Sequence, residues 1–261
     1  MRRTIFFLLC FAVIAFMGCQ QEATVDDVVA EMTAALGGDK ALSELMDRVE
    51  NWDFTMHQLP AEMGGGKAEE GGMTSPMVIT CKKGNKLRFD MQGPDGSAYM
   101  SMAYDGTKAW NMQMGGQSQD MSEDEQQEWA SMASTWVDVF RNYADKGFTL
   151  ELLENETIDG QEYIVMQSTD QFGNVAKNYI NPSTYLLERA VAEGKNMSTN
   201  EKEELTMTID DYKEVDGVML AHHVAQFDSK GEMIWESTMN SAETNTGVAD
   251  SFFSTATVSV K

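Results

Sequence analysis

The residues of this chain with chemistry to offer are three histidines, one cysteine beyond the N-terminal region and several closely spaced methionines. His57 lies among polar neighbours in an alternating stretch, and His222 and His223 are adjacent. Adjacent side chains of an extended strand point to opposite faces, so that pair cannot line one site. The chain contains no Gly-x-Ser-x-Gly, His-Glu-x-x-His, Gly-x-x-x-x-Gly-Lys or Cys-x-x-Cys. Nothing in it therefore announces a nucleophile elbow, a zinc helix, a phosphate loop or a redox pair. The expectation is a protein that is not an enzyme, holds no cofactor and uses its histidines structurally. Cys81 alternates with Met77 and Ile79, the pattern of a buried, inert thiol. Met100-x-Met102 and Met112-x-Met114 offer soft thioethers that could hold copper. Methionine, however, occurs 21 times and along the whole chain, which favours an adaptable apolar surface over a metal site. The acidic runs 120–125 and 201–204 lack the Asp-x-Asp-x-Asp-Gly spacing of a calcium loop and read as solvated faces.

A second set of residues could do binding instead of chemistry. Trp52, Phe54, Phe89, Met91, Met100, Met102, Trp110, Met112, Trp129 and Trp136 are large, apolar and placed at strand or helix spacing. They are either ordinary core or the wall of a ligand cavity. Nucleic acid is an improbable partner in either case, because a formal charge of −23 repels phosphate backbones.

The N-terminus speaks to location. Arg2 and Arg3 precede a 13-residue apolar run, Ile5 to Met17, which suits a signal-peptide core and is short for a membrane span. The run ends in Phe16-Met17-Gly18-Cys19, which resembles the bacterial lipobox, with Phe16 where leucine is usual. That resemblance implies a lipoprotein signal peptide over 1–18, lipidation of Cys19 and a short tether over 19–23. Acyl chains contribute about 0.8 kcal/mol per buried CH₂, so two or three hold a protein on a membrane stably. Gln20 stands where aspartate would resemble an inner-membrane retention signal, which points to the outer membrane, facing the periplasm. Loss of Arg2 and Arg3 leaves 17 basic residues against 42 acidic ones. Cys10 departs with the signal and Cys19 is blocked, so Cys81 has no disulfide partner.

These residues need elements to position them. Thr24 is placed to cap a helix with Val25, Val28, Val29, Met32 and Leu36 on one stripe, stopped by Gly37-Gly38. A shorter helix follows, with Asp39 as its expected cap and Ala41, Leu42, Leu45, Met46 and Val49 on one face. Alternating stretches then run through Trp52–Met56, Met77–Cys81, Leu87–Met91, Ala98–Tyr104 and Trp110–Met114, separated by Gly and Asp turns and by a Gly-rich loop over 63–75. For the hairpin at Asp105-Gly106, a three-residue loop pairing Tyr104 with Lys108 gathers Met100, Met102, Trp110 and Met112 on one face. Ser122 to Glu125 is a capping box that predicts a helix from Ser122 to Lys146, with Trp129, Met132, Trp136, Phe140 and Tyr143 on its stripe. Further strands follow from Phe148 through Arg189, then through Leu205–Ile209, Val218–Phe227 and Met233–Trp235. No linker divides residues 24–261, which read as one domain.

The stretch Thr157 to Arg189 followed by Ile209 to Leu220 is similar to the LolA/LolB-like family of periplasmic lipoprotein-sorting proteins. The similarity lies in Asn178-Tyr179-Ile180-Asn181-Pro182-Ser183-Thr184-Tyr185-Leu186, with Asn181 where the family has Asp, and in Tyr212-Lys213-Glu214-Val215-Asp216-Gly217-Val218. Tyr104 to Trp110 resembles the family's Asp-Gly hairpin, and Ala35 to Gly38 a helix end seen among such lipoproteins. The resemblance implies an α+β fold: an antiparallel half-open β-barrel, or curved sheet, with helices covering the concave face around an apolar cavity. It also implies a monomeric, lipid-anchored binding module for an acyl chain or lipoprotein lipid. The alternatives are an envelope interaction protein whose hollow the long helix fills, and, less favoured, a copper-handling lipoprotein.

Overall fold

The computed structural model describes residues 23–113, 116–136 and 140–254. Thr24 caps α1 (Val25–Ala35) through a reciprocal box with Asp27, and α2 (Gly38–Glu44) follows at once. The strands come next: β1 (Asp47–Met56), β2 (Met73–Lys82), β3 (Lys86–Gln92), β4 (Ala98–Tyr104), β5 (Ala109–Gln113) and β6 (Gln119–Asp120). Helix α3 (Glu123–Trp136) precedes β7 (Thr149–Leu152), β8 (Glu156–Ile158), β9 (Gln161–Thr169) and β10 (Val175–Ile180). The chain ends in β11 (Leu187–Lys195), β12 (Lys202–Val215), β13 (Val218–Phe227) and β14 (Met233–Thr244).

All fourteen described strands join one antiparallel, open sheet. Its order is β6-β5-β4-β3-β2-β1-β14-β13-β12-β11-β10-β9-β7, with β8 also on β9. Consecutive hairpins account for every neighbour except two. The first strand pairs with the last, so β1 against β14 ties the two halves together, and β7 reaches β9 past the short β8. Both outer edges are short strands, which leaves little backbone free to pair with another chain.

The helices divide the concave face into two cores. One gathers Leu42 of α2 and Trp129 and Ala133 of α3 over Trp52, Met77, Ile79, Leu87 and Met91. The other gathers Val28, Val29 and Met32 of α1 with Phe140 over Met166, Ile180 and Leu187. This is the α+β architecture expected of the sequence, an open antiparallel sheet with helices on its hollow side.

Three local expectations give way. Gly37, not Asp39, is the N-cap of α2. Its φ of 120° suits glycine, and a Cβ there would lie 2.2 Å from the Gly217 carbonyl oxygen. Asp39 instead sits inside the first turn and pairs with Arg141 at 2.8 Å, while Val49 belongs to β1. The long helix opens on the Ser122–Glu125 box as expected, but the described helix ends at Trp136. Phe140 and Tyr143 continue its apolar spacing yet lie in turns and pack on the second core, with Asn142 at φ 53°.

The third correction concerns the β4–β5 hairpin. Asp105 Oδ1 accepts bonds from the Thr107 and Lys108 amides and from the Thr107 hydroxyl, and the Asp105 amide donates to the Lys108 carbonyl. This Asx turn draws Lys108 into a four-residue loop, so Tyr104 pairs with Ala109 and not with Lys108. The shift by one residue sends Trp110 and Met112 to the other face.

Candidate ligand-binding face

Strand register places the candidate residues. Trp52 pairs with Met77, Met77 with Met91, and Met91 with Met100; Ile79 pairs with Phe89, and Phe89 with Met102. These residues, with Phe54, share the concave face. Trp129 comes down on them from α3, its ring 5.1 Å from Phe89. Seven of the ten candidate residues thus belong to one strand surface: Trp52, Phe54, Phe89, Met91, Met100, Met102 and, from the helix, Trp129 above it. The side chain of Trp136 lies outside the described residues, as does Cys19 with the whole segment before residue 23.

Trp110 and Met112 lie on the convex face. Trp110 is buried there by the C-terminal segment: its Nε1 donates to the Phe253 carbonyl at 2.8 Å. Beside it the Arg88 guanidinium bonds the Asp90 carboxylate and the Phe252 carbonyl, 4.3 Å from the Phe252 ring centroid. Met100 and Met102 therefore point away from Met112, and those three thioethers do not converge; Met114 is outside the described residues.

The concave face continues past the residues singled out from sequence. One row can be followed across nine strands by direct pairing: Met73, Met56, Trp235, Gln226, Met207, Ala190, Asn178, Met166 and Leu152. Not one of these nine is charged, in a chain with 42 Asp and Glu. The next row runs through Ser75, Phe54, Ser237, Val224 and Ile209, again without charge. Phe54 and Trp235, diagonal neighbours from these two rows, place their rings 5.6 Å apart. Trp235 Nε1 donates to Gln226 Oε1 at 2.9 Å, and Asn178 Nδ2 donates to the Met166 carbonyl and Ser168 Oγ. Phe54, Tyr99, Met100, Val224 and Trp235 are only half-buried, so apolar surface remains open on this side of the sheet. Sequence reasoning placed Trp235 and Met207 on strands but did not bring them, or Val224 and Ser237, onto one face with Phe54. The signal was the single-face alternation of β12 to β14, read with the β1–β14 pairing that no local pattern announces.

The histidines and the thiol sit elsewhere. His222 and His223 face opposite sides, as adjacency requires. His222 is buried with Nδ1 against the Leu220 carbonyl. On the convex side His57 Nε2 meets Glu236 Oε1 at 2.8 Å, and His223 Nε2 meets Glu236 Oε2 at 3.3 Å. His223 Nδ1 reaches Asp210 Oδ2 at 3.1 Å, completing a line of two imidazoles and two carboxylates that sequence spacing did not reveal. Burial opposes a charge on His223, but the bonds to Asp210 and Glu236 outweigh it and raise its pKa. The His57 bond, followed by the His223 bond, overcomes burial and lowers that of Glu236. Cys81 is buried at the end beside α2, and desolvation pushes its thiol up to about 12 against the opposing pull of Arg48.

No family model and no curated protein matches the chain. Solved structures do. A Vibrio parahaemolyticus domain described as an outer membrane lipoprotein-sorting protein is 14% identical, with a TM-score of 0.59 over 87% of this chain and 94% of that one. A LolA superfamily protein from Nitrosomonas europaea is 12% identical, with a TM-score of 0.58 over 89% and 98%. A DUF1329 family protein from Desulfovibrio piger is 11% identical, with a TM-score of 0.59 over 88% and 97%. Identities this low speak for architecture and not for ligand. In its open fourteen-stranded sheet and its helix-covered hollow, the chain has the fold of the LolA superfamily.

Proposed function

We propose that this protein is a lipid-anchored, non-catalytic binding module of the cell envelope, held at the outer membrane by Cys19 and facing the periplasm, which shields an acyl chain or lipoprotein lipid against its concave face. The observation that carries this reading is the uncharged row from Met73 to Leu152 in a chain of net charge −23. Charge is absent from this row, whose middle, Trp235, Gln226, Met207 and Ala190, is only half-buried, as an apolar ligand requires, while its β7–β9 end packs under α1. Affinity comes from burial at about 25 cal/mol per Å². Methionine suits such a wall, because an unbranched thioether adapts to a flexible chain.

A second reading, an interaction protein with a filled hollow, is favoured by Trp129 and Ala133, which pack α3 firmly over β3 to β5. On the proposal, α3 closes that side and leaves the face toward β12–β14 for ligand. Native mass spectrometry of the mature protein taken from membranes tests this. Added mass matching an acyl lipid, released by organic solvent and beyond the anchor itself, is the expected result. A protein that is always empty and takes up no fluorescent fatty acid contradicts it.

A further inference from the structure

Among the described residues, the concave face holds a buried hydroxyl that the fold leaves without a hydrogen-bond partner. Ser237 stands on β14 between Trp235 and Met239, directly opposite Phe54 on β1 and Val224 on β13. It is 4% exposed, and its Oγ is buried without a hydrogen-bond partner. A buried hydroxyl left unpaired costs about 1–3 kcal/mol, a cost that a sheet position open to alanine or valine need not carry. Its surroundings are built with polar tips at the same level. Ser75 lies across Phe54 in the same row, and Tyr99 Oη reaches Ser75 Oγ at 3.4 Å. The Gln226 amide, one row further out, is oriented by the Trp235 indole. Neither row contains Lys, Arg, His, Asp or Glu.

We propose that Ser237, with Gln226 as its diagonal neighbour, is the specificity-determining residue of the concave face and hydrogen-bonds an uncharged oxygen of the ligand, the ester carbonyl of a neutral acyl glyceride. This rests on the lipid-binding reading and narrows it to a ligand class. The hydroxyl donates to the carbonyl, while the acyl chain lies along the uncharged row. A fatty-acid carboxylate or a phosphate group in the same place would be buried with no counter-charge, which is far more costly than burying an ester. The polar row thus selects for an oxygen and against a charge.

The test uses the full mature chain from residue 19 with Cys19→Ser, so that the protein carries no acyl group of its own. Binding of monopalmitoylglycerol and of palmitate at pH 8 is measured for this protein and for its Ser237→Ala and Ser237→Thr forms. The glyceride is expected to bind more tightly than palmitate. Ser237→Ala should weaken glyceride binding about five-fold, leave palmitate unchanged, and be rescued by Ser237→Thr. Equal effects on both lipids, or no effect on either, overturns the role of Ser237 while lipid binding itself stands. If neither lipid binds the parent protein, the lipid-binding reading fails and this inference falls with it.

Discussion

Trp52 Nε1 donates a 2.9 Å hydrogen bond to Glu50 Oε2, two residues earlier on the same strand and the same concave face. Glu50 is 1% exposed and also forms an ion pair with Arg48, so a charged pair and an indole form one buried unit at the end beside α2. The apolar wall is thus closed at that end by satisfied charges. Removing one member strands the other. Arg48→Met or Glu50→Gln alone is expected to cost about 3–5 kcal/mol, and the paired Arg48→Met, Glu50→Leu change much less. Urea denaturation of the three variants checks this, and additive losses would contradict it.

Cys81 borders that unit. Desolvation first, with Glu50 and Asp47 adding to it, raises its thiol to about 12, so almost no thiolate exists at pH 8. Folded protein should resist a thiol-specific disulfide reagent and react only as it unfolds. Stoichiometric labelling within seconds under native conditions would show that the site is open.

On the convex face the C-terminal segment staples the β2–β5 arm. Lys82 binds the Val248 carbonyl and the Asp250 carboxylate, Arg88 the Phe252 carbonyl, and Trp110 the Phe253 carbonyl. Phe253 is completely buried beneath this strap. Phe253→Ala is expected to cost about 3–5 kcal/mol, read from chemical denaturation, and to shift tryptophan emission to the red as Trp110 gains water. An unchanged midpoint and spectrum would mean that the strap is not stapling the arm.

The convex line Asp210–His223–Glu236–His57 makes stability depend on pH. His223 has a raised pKa, so its contribution is complete below the unfolded value of about 6.5 and is lost as pH rises through the higher folded value. Glu236 has a lowered pKa, so its contribution is present above about 4.3 and is lost as pH falls through the lower folded value. Both act between these limits. The urea midpoint should therefore decline above about pH 6.5, and Glu236→Gln should flatten that decline. In NMR titration His223 should deprotonate above the ordinary histidine range; a value at or below it would contradict the assignment.

Much of this architecture was legible because short-range rules governed it. Thr24 and Ser122 cap their helices as their boxes specify, and the Gly173-Asn174 and Asp216-Gly217 turns form the β9–β10 and β12–β13 hairpins. The candidate site was legible only in part. One aspartate side chain, Asp105, absorbed an extra residue into a loop and moved Trp110 and Met112 to the wrong side of the expectation. Ser237 and Trp235 joined Phe54 only through the pairing of the first strand with the last, a contact that closes a very long stretch of chain. The Glu236 carboxylate drew His57 and His223 together the same way, across 179 residues in the case of His57. Sequence patterns report which face a residue takes within its own strand; which strands meet is decided by the whole sheet.

The central claim is that the uncharged row is a binding surface. Its most direct test is titration of a fluorescent acyl glyceride into the mature chain with Cys19→Ser, beside the same chain carrying Met207→Glu in the middle of the row. Saturable binding by the first and its loss in the second, with both melting cooperatively, is the predicted result. Binding that survives a charge at Met207, or no saturable binding by the unmutated row, would contradict it.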